Sequence, residues 1–439
     1  MDSDANTRRL HCGDAIDVIS NLPSDLLDLI LKQLPIDCVA RMSTVSKIWR
    51  GKWEMHPHLV FDDFFFDRIS QRFSFRNREL ELYEFSRTVS SILLGRSGLI
   101  LKFVLCIPYD LPLRHCSDID IWIRNISNKG VREVQLHSRR SSVSYRIPSY
   151  LFSCSDLTRL SISYCILTPP LMFEGFRNLI SVSLVGVKIT AYTSFGAQLR
   201  KLYLQSCVGI EHLGRQFKYY INLTFLSITD SGEIDWQWFG CTRKVNVSVL
   251  MLCGKAKKIV DLEELVDNMP RIGNLHLDGS FLKFLESGAA IRRHILTMDA
   301  LKYLTLDKVG FYDLGQIKNV ICLMGISPKL EKLVMNLEFD LKWWNYVEES
   351  REQMVSSVAQ YLQSLYLVGM TFNRLETVEI YVVENSAELE FIKLLLASSP
   401  SLRSMRILNM ISDRKEALRI SQELMRFPRA STNAEIIWR

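Results

Sequence analysis

His56 and His58 flank Pro57 in a His-x-His, a spacing that could place two imidazoles on one metal ion. The intervening proline, at the end of a helical run, makes a surface turn the simpler expectation. Glu348, Glu349 and Glu352 gather around Arg351. Paired carboxylates can work as general acid and base, but this mixed cluster reads as a solvated helix face. Ten cysteines occur, at positions 12, 38, 106, 116, 154, 165, 207, 241, 253 and 322. None forms a Cys-x-x-Cys, so neither a zinc site nor a redox pair is expected. Most sit beside apolar residues, where a thiol acts as a small buried hydrophobe. No Gly-x-x-x-x-Gly-Lys-Ser/Thr loop, Gly-x-Ser-x-Gly elbow or His-Glu-x-x-His is present. The chain is therefore expected to catalyse nothing by itself and to use no cofactor or metal.

The elements that must carry function are then sought in the patterning. The chain has 439 residues, too many for one compact core. Apolar residues make up 48% and charged residues 23%, an ordinary globular balance. Lys plus Arg exceed Asp plus Glu by 54 to 48, a thin surplus that argues against nucleic acid as the partner. The opening MDSDANTRRLHCGDAID has no apolar stretch, so no secretory signal is read there. Ser91 to Pro108 is the greasiest stretch, but Arg96 and Lys102 interrupt it, and no membrane span is expected. A reducing compartment follows, cytoplasmic or nuclear, in which sequons at Asn125, Asn222 and Asn246 carry no meaning.

Residues 16–58 predict three short helices. Pro23 suits a first helical turn, and the helix should end near Leu34, before Pro35. At ~100° per residue, Leu29, Leu26, Ile30, Leu34, Leu27 and Leu31 spread over an arc of roughly 200°. One neighbour needs an arc nearer ~100°, so this helix should make two apolar contacts, one inward and one outward. Asp37 suits the N-cap of a second helix, and Val45, Ile48, Trp49 and Trp53 add bulk to a third. Near ~40 residues a module folds with the help of a disulfide, a metal or a partner, and only the partner is on offer.

The order Leu22-Pro23, Ile30-Leu31-x-x-Leu34 and Val45-Ser46-x-x-Trp49-Arg50-x-x-Trp53 resembles a plant F-box. The resemblance implies docking on a Skp-type adaptor and, through it, a link to a cullin scaffold and a ubiquitin ligase. It implies that Leu22, Pro23, Ile30, Leu31, Leu34, Val45 and Trp49 carry the adaptor contact, and Leu26 joins them from the helical arc. Ser46 departs mildly, standing where many F-boxes have Cys.

Beyond this module an apolar-x-x-apolar-x-apolar pattern recurs. Copies begin at residues 100, 131, 157, 179, 199, 223, 247, 272, 301, 330, 375 and 402. Ten of the eleven offsets lie between 20 and 31, close to the leucine-rich-repeat range. The last two apolar residues of each copy should point inward from a strand. No single copy can cover its apolar face, so an α/β solenoid is predicted, with parallel strands on its concave side and irregular curvature. A further match, LQSLYL at 362, falls only 13 residues before the next copy and reads as the end of a helix from about Glu349.

Residues 147–184, with Ile147-Pro148, Leu151-Phe152, Cys154, Leu157, Cys165, Pro169-Pro170, Gly175-Phe176 and Leu179, resemble an early repeat segment of plant F-box proteins with leucine-rich repeats. ELEFIKLLLASSPSLRSMRI at 388–407 and ELMRFPRAS at 423–431 are similar to the FBD domain of the same family. Asn385 with Glu388 predicts a capping box opening one helix, and a second helix should span about Asp413 to Phe427. Ala417, Leu418, Leu424 and Met425 would cover the open end of the stack.

The expected organisation is a tail at 1–15, an F-box at 16–58, a repeat array at 59–370 and an FBD segment at 371–439 that caps the array. The x positions of the copies should line the concavity, and the basic ones lie mostly between 132 and 302. Arg132, Arg159, Arg200, Lys201 and Tyr203 are the candidate target-binding residues, suited to an acidic or phosphorylated segment. The family resemblance implies a substrate receptor of a Skp–cullin–F-box ubiquitin ligase, holding an unidentified target protein. An adaptor-binding scaffold that delivers no substrate uses the same residues.

Overall fold

The computed structural model describes residues 22–44, 47–71, 78–108, 116–138, 145–235, 237–240, 247–286, 297–337, 348–381, 385–408 and 414–438. The chain divides into two units, Met1–Arg139 and Arg140–Arg439.

In the first unit, helix α1 (Ser24–Gln33) follows Pro23 and ends where Leu34 turns extended ahead of Pro35. Helix α2 is Ile36–Met42 and helix α3 is Lys47–Met55. Leu27 and Leu31 of α1 meet Val39 of α2 and Trp49 of α3 in a small buried cluster, with Leu22, Leu34, Met42 and Trp53 packed partly against it. Pro35, not Asp37, occupies the N-cap of α2 and makes no side-chain cap. Asp37 sits in the first turn, where a carboxylate favours the helix dipole, and pairs with Arg68 at 2.8 Å.

Helix α3 leads through His56 and Pro57 directly into strand β1 (His58–Phe61). The Pro57 carbonyl accepts from the amides of Leu101 and Lys102 at 2.8 and 3.1 Å. His56 is buried rather than on a surface turn, because the adjoining strand and Arg96 close over it. Strands β1, β2 (Lys102–Ile107) and β3 (Glu133–Ser138) pair in parallel. Helix α4 (Asp63–Ser70) is capped by Asp62, which accepts from the Phe65 amide at 2.9 Å. Helices α5 (Arg78–Leu94) and α6 (Cys116–Ser127) complete the unit. Phe61, Phe65, Phe85 and Trp122 form a chain of edge-to-face contacts with ring separations of 5.1 to 6.2 Å.

The second unit is built on one parallel sheet. Short strands β4 (Tyr145–Arg146), β6 (Cys165–Leu167) and β8 (Lys188–Ile189) form a side ladder, and β12 (Val260–Asp261) pairs with β14 (Leu285–Glu286). The main strands, in spatial and chain order, are β5 (Arg159–Ser163), β7 (Ser181–Val185), β9 (Lys201–Gln205), β10 (Phe225–Thr229), β11 (Val249–Cys253), β13 (Asn274–Asp278), β15 (Tyr303–Val309), β16 (Lys332–Leu337), β17 (Thr377–Tyr381), β18 (Ser404–Leu408) and β19 (Glu435–Trp438).

Every copy of the sequence pattern enters its strand at its third residue, from Lys102 through Ser404. The last two apolar residues of each copy are buried in both units, as Leu160 and Ile162, Leu202 and Leu204, and Leu304 and Leu306 illustrate. LQSLYL lies within the helix Glu348–Val368. The helix Ser386–Ser398 opens on the capping box formed by Asn385 and Glu388. The helix Arg414–Arg426 follows, but it buries Ile420 and Leu424 while Leu418 and Met425 stay exposed. The end of the stack is instead extended by β19, which pairs with β18 and carries no repeat pattern.

The chain leaves β5, β9 and β10 through a left-handed residue: Tyr164, Ser206 and Asp230 have φ of 49° to 54°. Gly186 takes the same place after β7, with φ 61°. A Cβ there would lie 2.4 Å from the Tyr164 ring, so glycine is needed for both conformation and space.

Candidate functional site

The amino-terminal helices divide their apolar residues between two sides. Leu27 and Leu31 face inward, at 2% and 1% exposure, while Leu26 and Leu29 stand at 45% and 55%. Ile48 and Met55 on α3 are likewise exposed. The wide leucine arc of α1 thus makes one contact inside the module and leaves the other open to solvent.

The expected adaptor contacts fall into three groups. Pro23 and Leu26 are exposed. Leu22, Ile30 and Leu34 are half-buried. Leu31 and Trp49 face the core, because a module this small has no other large side chains to fill its centre. Val45 lies outside the described residues. Leu29, Ile48 and Met55 were not among the sequence candidates; for Leu29 the helical arc held the signal.

Below this surface Lys52 ties α3 to α1, reaching Asp28 at 2.7 Å. Arg96 stands over the Trp53 ring at 4.2 Å and donates to the His56 carbonyl. Its own carbonyl accepts from Lys129 at 2.6 Å. Burial lowers the Arg96 guanidinium to about 10, so it stays charged at neutral pH. Burial, then the nearby Arg96 charge, lowers His56 to about 4 and keeps it neutral. His56 and His58 face each other edge to face at 5.9 Å. Among the described residues no three or more His, Cys, Asp and Glu are grouped to hold a metal ion.

In the second unit the outward residues align in rows across the strands. One row runs Arg159, Ser181, Lys201, Phe225, Val249, Asn274, Tyr303, Lys332, Thr377, Ser404 and Glu435. The next runs Ser161, Ser183, Tyr203, Ser227, Met251, His276, Thr305, Val334, Glu379, Arg406 and Ile437. Arg159, Lys201 and Tyr203 therefore share one outward face, with β7 between the first and the other two. Arg200 precedes β9 by one residue and so has the opposite strand parity. Arg132 likewise precedes β3 and belongs to the other unit. Of the four candidates in this unit, Arg200 therefore falls outside the face that Arg159, Lys201 and Tyr203 share, because the two x positions of each copy alternate across the strand.

Charges on the later strands are already matched. Glu379 accepts from Lys332 at 3.0 Å and pairs with Arg406 at 3.5 Å. Asp307 bonds His276 at 2.5 Å and accepts from Asn336. The His276 bond, helped by Asn336 and opposed by burial, holds the Asp307 carboxyl below its usual range. Cys253 lies near this network, but burial and the charges of Asp278, Asp307 and Asp230 push its thiol up to about 12. With His276 committed to Asp307, no thiol–imidazole pair is poised there.

An F-box domain model matches residues 19–60. The model of the leucine-rich repeats of FBD-associated F-box protein At5g56370 matches residues 119–218. The chain is 27% identical to the Arabidopsis thaliana F-box/FBD/LRR-repeat protein At1g13570, over 97% of this chain and 99% of the relative. It is 23% identical to Arabidopsis thaliana F-box/LRR-repeat protein 13 over the full length of both. Among solved structures, an internalin from Listeria monocytogenes aligns with 84% of this chain and 96% of its own, at 15% identity and a TM-score of 0.41. Among the described residues no helix is long and apolar enough to cross a membrane.

Proposed function

We propose that this chain, which carries the F-box and leucine-rich repeats of the plant F-box/FBD/LRR-repeat family, is the substrate-receptor subunit of a Skp–cullin–F-box ubiquitin ligase. The exposed leucines of α1 carry the reading. Leu26 and Leu29, with Ile48 and Met55 of α3, leave apolar surface on a module too small to use it. A Skp-type adaptor is the partner that an F-box implies, and the cullin scaffold follows through it. Residues 16–58 dock on the adaptor, 59–370 hold a target protein, and 371–439 complete and cap the array.

The mechanism is proximity. The chain supplies no reacting group; it keeps target lysines near a ubiquitin-charged enzyme on the same scaffold and so raises their effective concentration. The place of action is cytoplasmic or nuclear. The competing role is an adaptor-bound scaffold that delivers nothing. Replacing the native chain in cells with a Leu26→Lys/Leu29→Lys variant separates them. The receptor role predicts a protein that accumulates as its degradation slows. Loss of adaptor binding with no protein stabilised would favour the scaffold.

A further inference from the structure

A cleft of about 550 Å³ lies between α1 and α3 in the first unit. Ile48 and Met55 stand on its α3 side, 50% and 63% exposed. Gly51 lies between them on the same helix face and leaves the backbone bare, since a Cβ there would meet nothing within 4 Å. The charge around this apolar hollow is mostly of one sign. Three ammonium groups line it, from Lys32, Lys47 and Lys52, with one carboxylate, Asp28. Lys52 takes that carboxylate at 2.7 Å. Lys32 and Lys47 are exposed and form no ion pair with any described residue.

The chain carries its own complement to this cleft. Residues 14–19, ahead of the described helices, read Asp14-Ala15-Ile16-Asp17-Val18-Ile19. Two carboxylates alternate with bulky apolar residues, and no cation interrupts them. The neighbouring residues fit worse. Arg8, Arg9 and His11 would meet Lys32 and Lys47 with like charge, and Asp2 and Asp4 have only Ser3 between them. Only Ser20 and Asn21 separate Ile19 from Leu22, where the described helices begin. An extended chain covers at most about 3.5 Å per residue, so Asp17 can lie up to about 17 Å from Leu22 and Asp14 up to about 28 Å. Lys32 is about 12 Å along α1 from Ser24. Both carboxylates can therefore reach the cleft without any change in α1.

We propose that residues 14–19 dock in this cleft in the free chain, as a cover that the adaptor displaces. The docking stands on the cleft and the segment alone; the displacement rests on the adaptor reading. Ile48 and Met55 belong to the exposed apolar side of the module, so a segment lying over them shields part of the surface that an adaptor would use. Each exposed ion pair adds little, and tethering supplies what the pairs lack. A segment joined by two residues is held at a high effective concentration, about millimolar for short linkers, so weak intrinsic affinity keeps it in place. The same weakness lets a larger interface push it out.

The test treats the purified full chain with a carbodiimide, which takes up the water lost as a carboxylate and an amine join in an amide. Mass spectrometry should find Asp14 or Asp17 linked to Lys32 or Lys47 within single chains. Gly51→Phe, which fills the cleft from an exposed helix position, should lower the yield of these links at least threefold while the chain unfolds at the wild-type temperature. Asp14→Lys/Asp17→Lys should bind a purified Skp-type adaptor at least threefold tighter than the wild type. Absence of these links, links only between chains, or a yield that Gly51→Phe leaves unchanged overturns the docking. Unchanged or weaker adaptor binding by the double variant overturns the cover. Failure of the wild type to bind the adaptor at all would instead count against the adaptor reading, and the cross-links would still decide whether the segment docks.

Discussion

The Arg96 guanidinium lies 4.2 Å over the Trp53 ring, joining the loop before β2 to the last helix of the F-box. It also donates to the His56 carbonyl, and Gly98 approaches so closely that a Cβ there would lie 3.3 Å from the Glu54 carbonyl oxygen and the Met55 Cα. No free linker separates α3 from β1. Within the first unit, the docking helices are held in one orientation against the first strands. Arg96→Ala should lower stability by about 2–4 kcal/mol, from the lost ring contact and charged hydrogen bond. Urea unfolding measures this. Adaptor affinity should change by less than about threefold under native conditions, since Arg96 is buried.

Leu29 and Leu31, two residues apart on α1, should respond differently to substitution. Leu31→Ala removes part of a buried cluster and should cost about 2–5 kcal/mol of stability. Leu29→Lys alters an exposed side chain and should leave the unfolding midpoint nearly unchanged. It should still weaken adaptor binding by about tenfold or more, as expected for losing roughly 1.5 kcal/mol or more of apolar burial at an interface. Paired unfolding and binding titrations check both.

Gly186→Ala should destabilise the second unit by about 1–3 kcal/mol. The substitution combines a left-handed backbone with a Cβ pressed on the Tyr164 ring. Adding Tyr164→Ala should recover the steric part and leave the backbone part. A double-mutant cycle in urea separates the two.

Acid should destabilise the first unit through its histidines. His56 is held near 4, against 6.5 in the unfolded chain, and His58 and His137 are lowered too, mainly by burial. The unfolded state then binds more protons between about pH 6.5 and 4. Stability should fall as pH drops through that window and be fully present above it. His56→Gln should flatten the slope, as thermal unfolding across pH would show.

Much of this fold was legible because burial imposes a period. Leu160 with Ile162 and Leu304 with Leu306 carry the inward alternation, and Asn385 with Glu388 carries a local cap; each is written in a few neighbouring residues. His58–Phe61 and Glu435–Trp438 were missed because they lack the leading apolar residues of the repeat. Asp37 misled because a cap-forming residue stood one turn position too late, after Pro35 had already set the backbone. The site was harder to read. Family resemblance pointed to Leu31 and Trp49, yet a side chain's motif membership does not say which way it faces. Arg200 and Lys201 are neighbours in sequence but differ in strand parity, and the pairing of Lys332 and Arg406 with Glu379 depends on contacts between strands. Only the assembled register separates matched charge from unmatched.

Calorimetric titration of a purified Skp-type adaptor into the full chain, compared with its Leu26→Lys/Leu29→Lys variant, tests the central claim most directly. The account predicts saturable one-to-one binding by the wild type and at least a hundredfold loss in a variant that unfolds at the same temperature. Equal affinity for the two proteins, or no binding by a folded wild type, would contradict it.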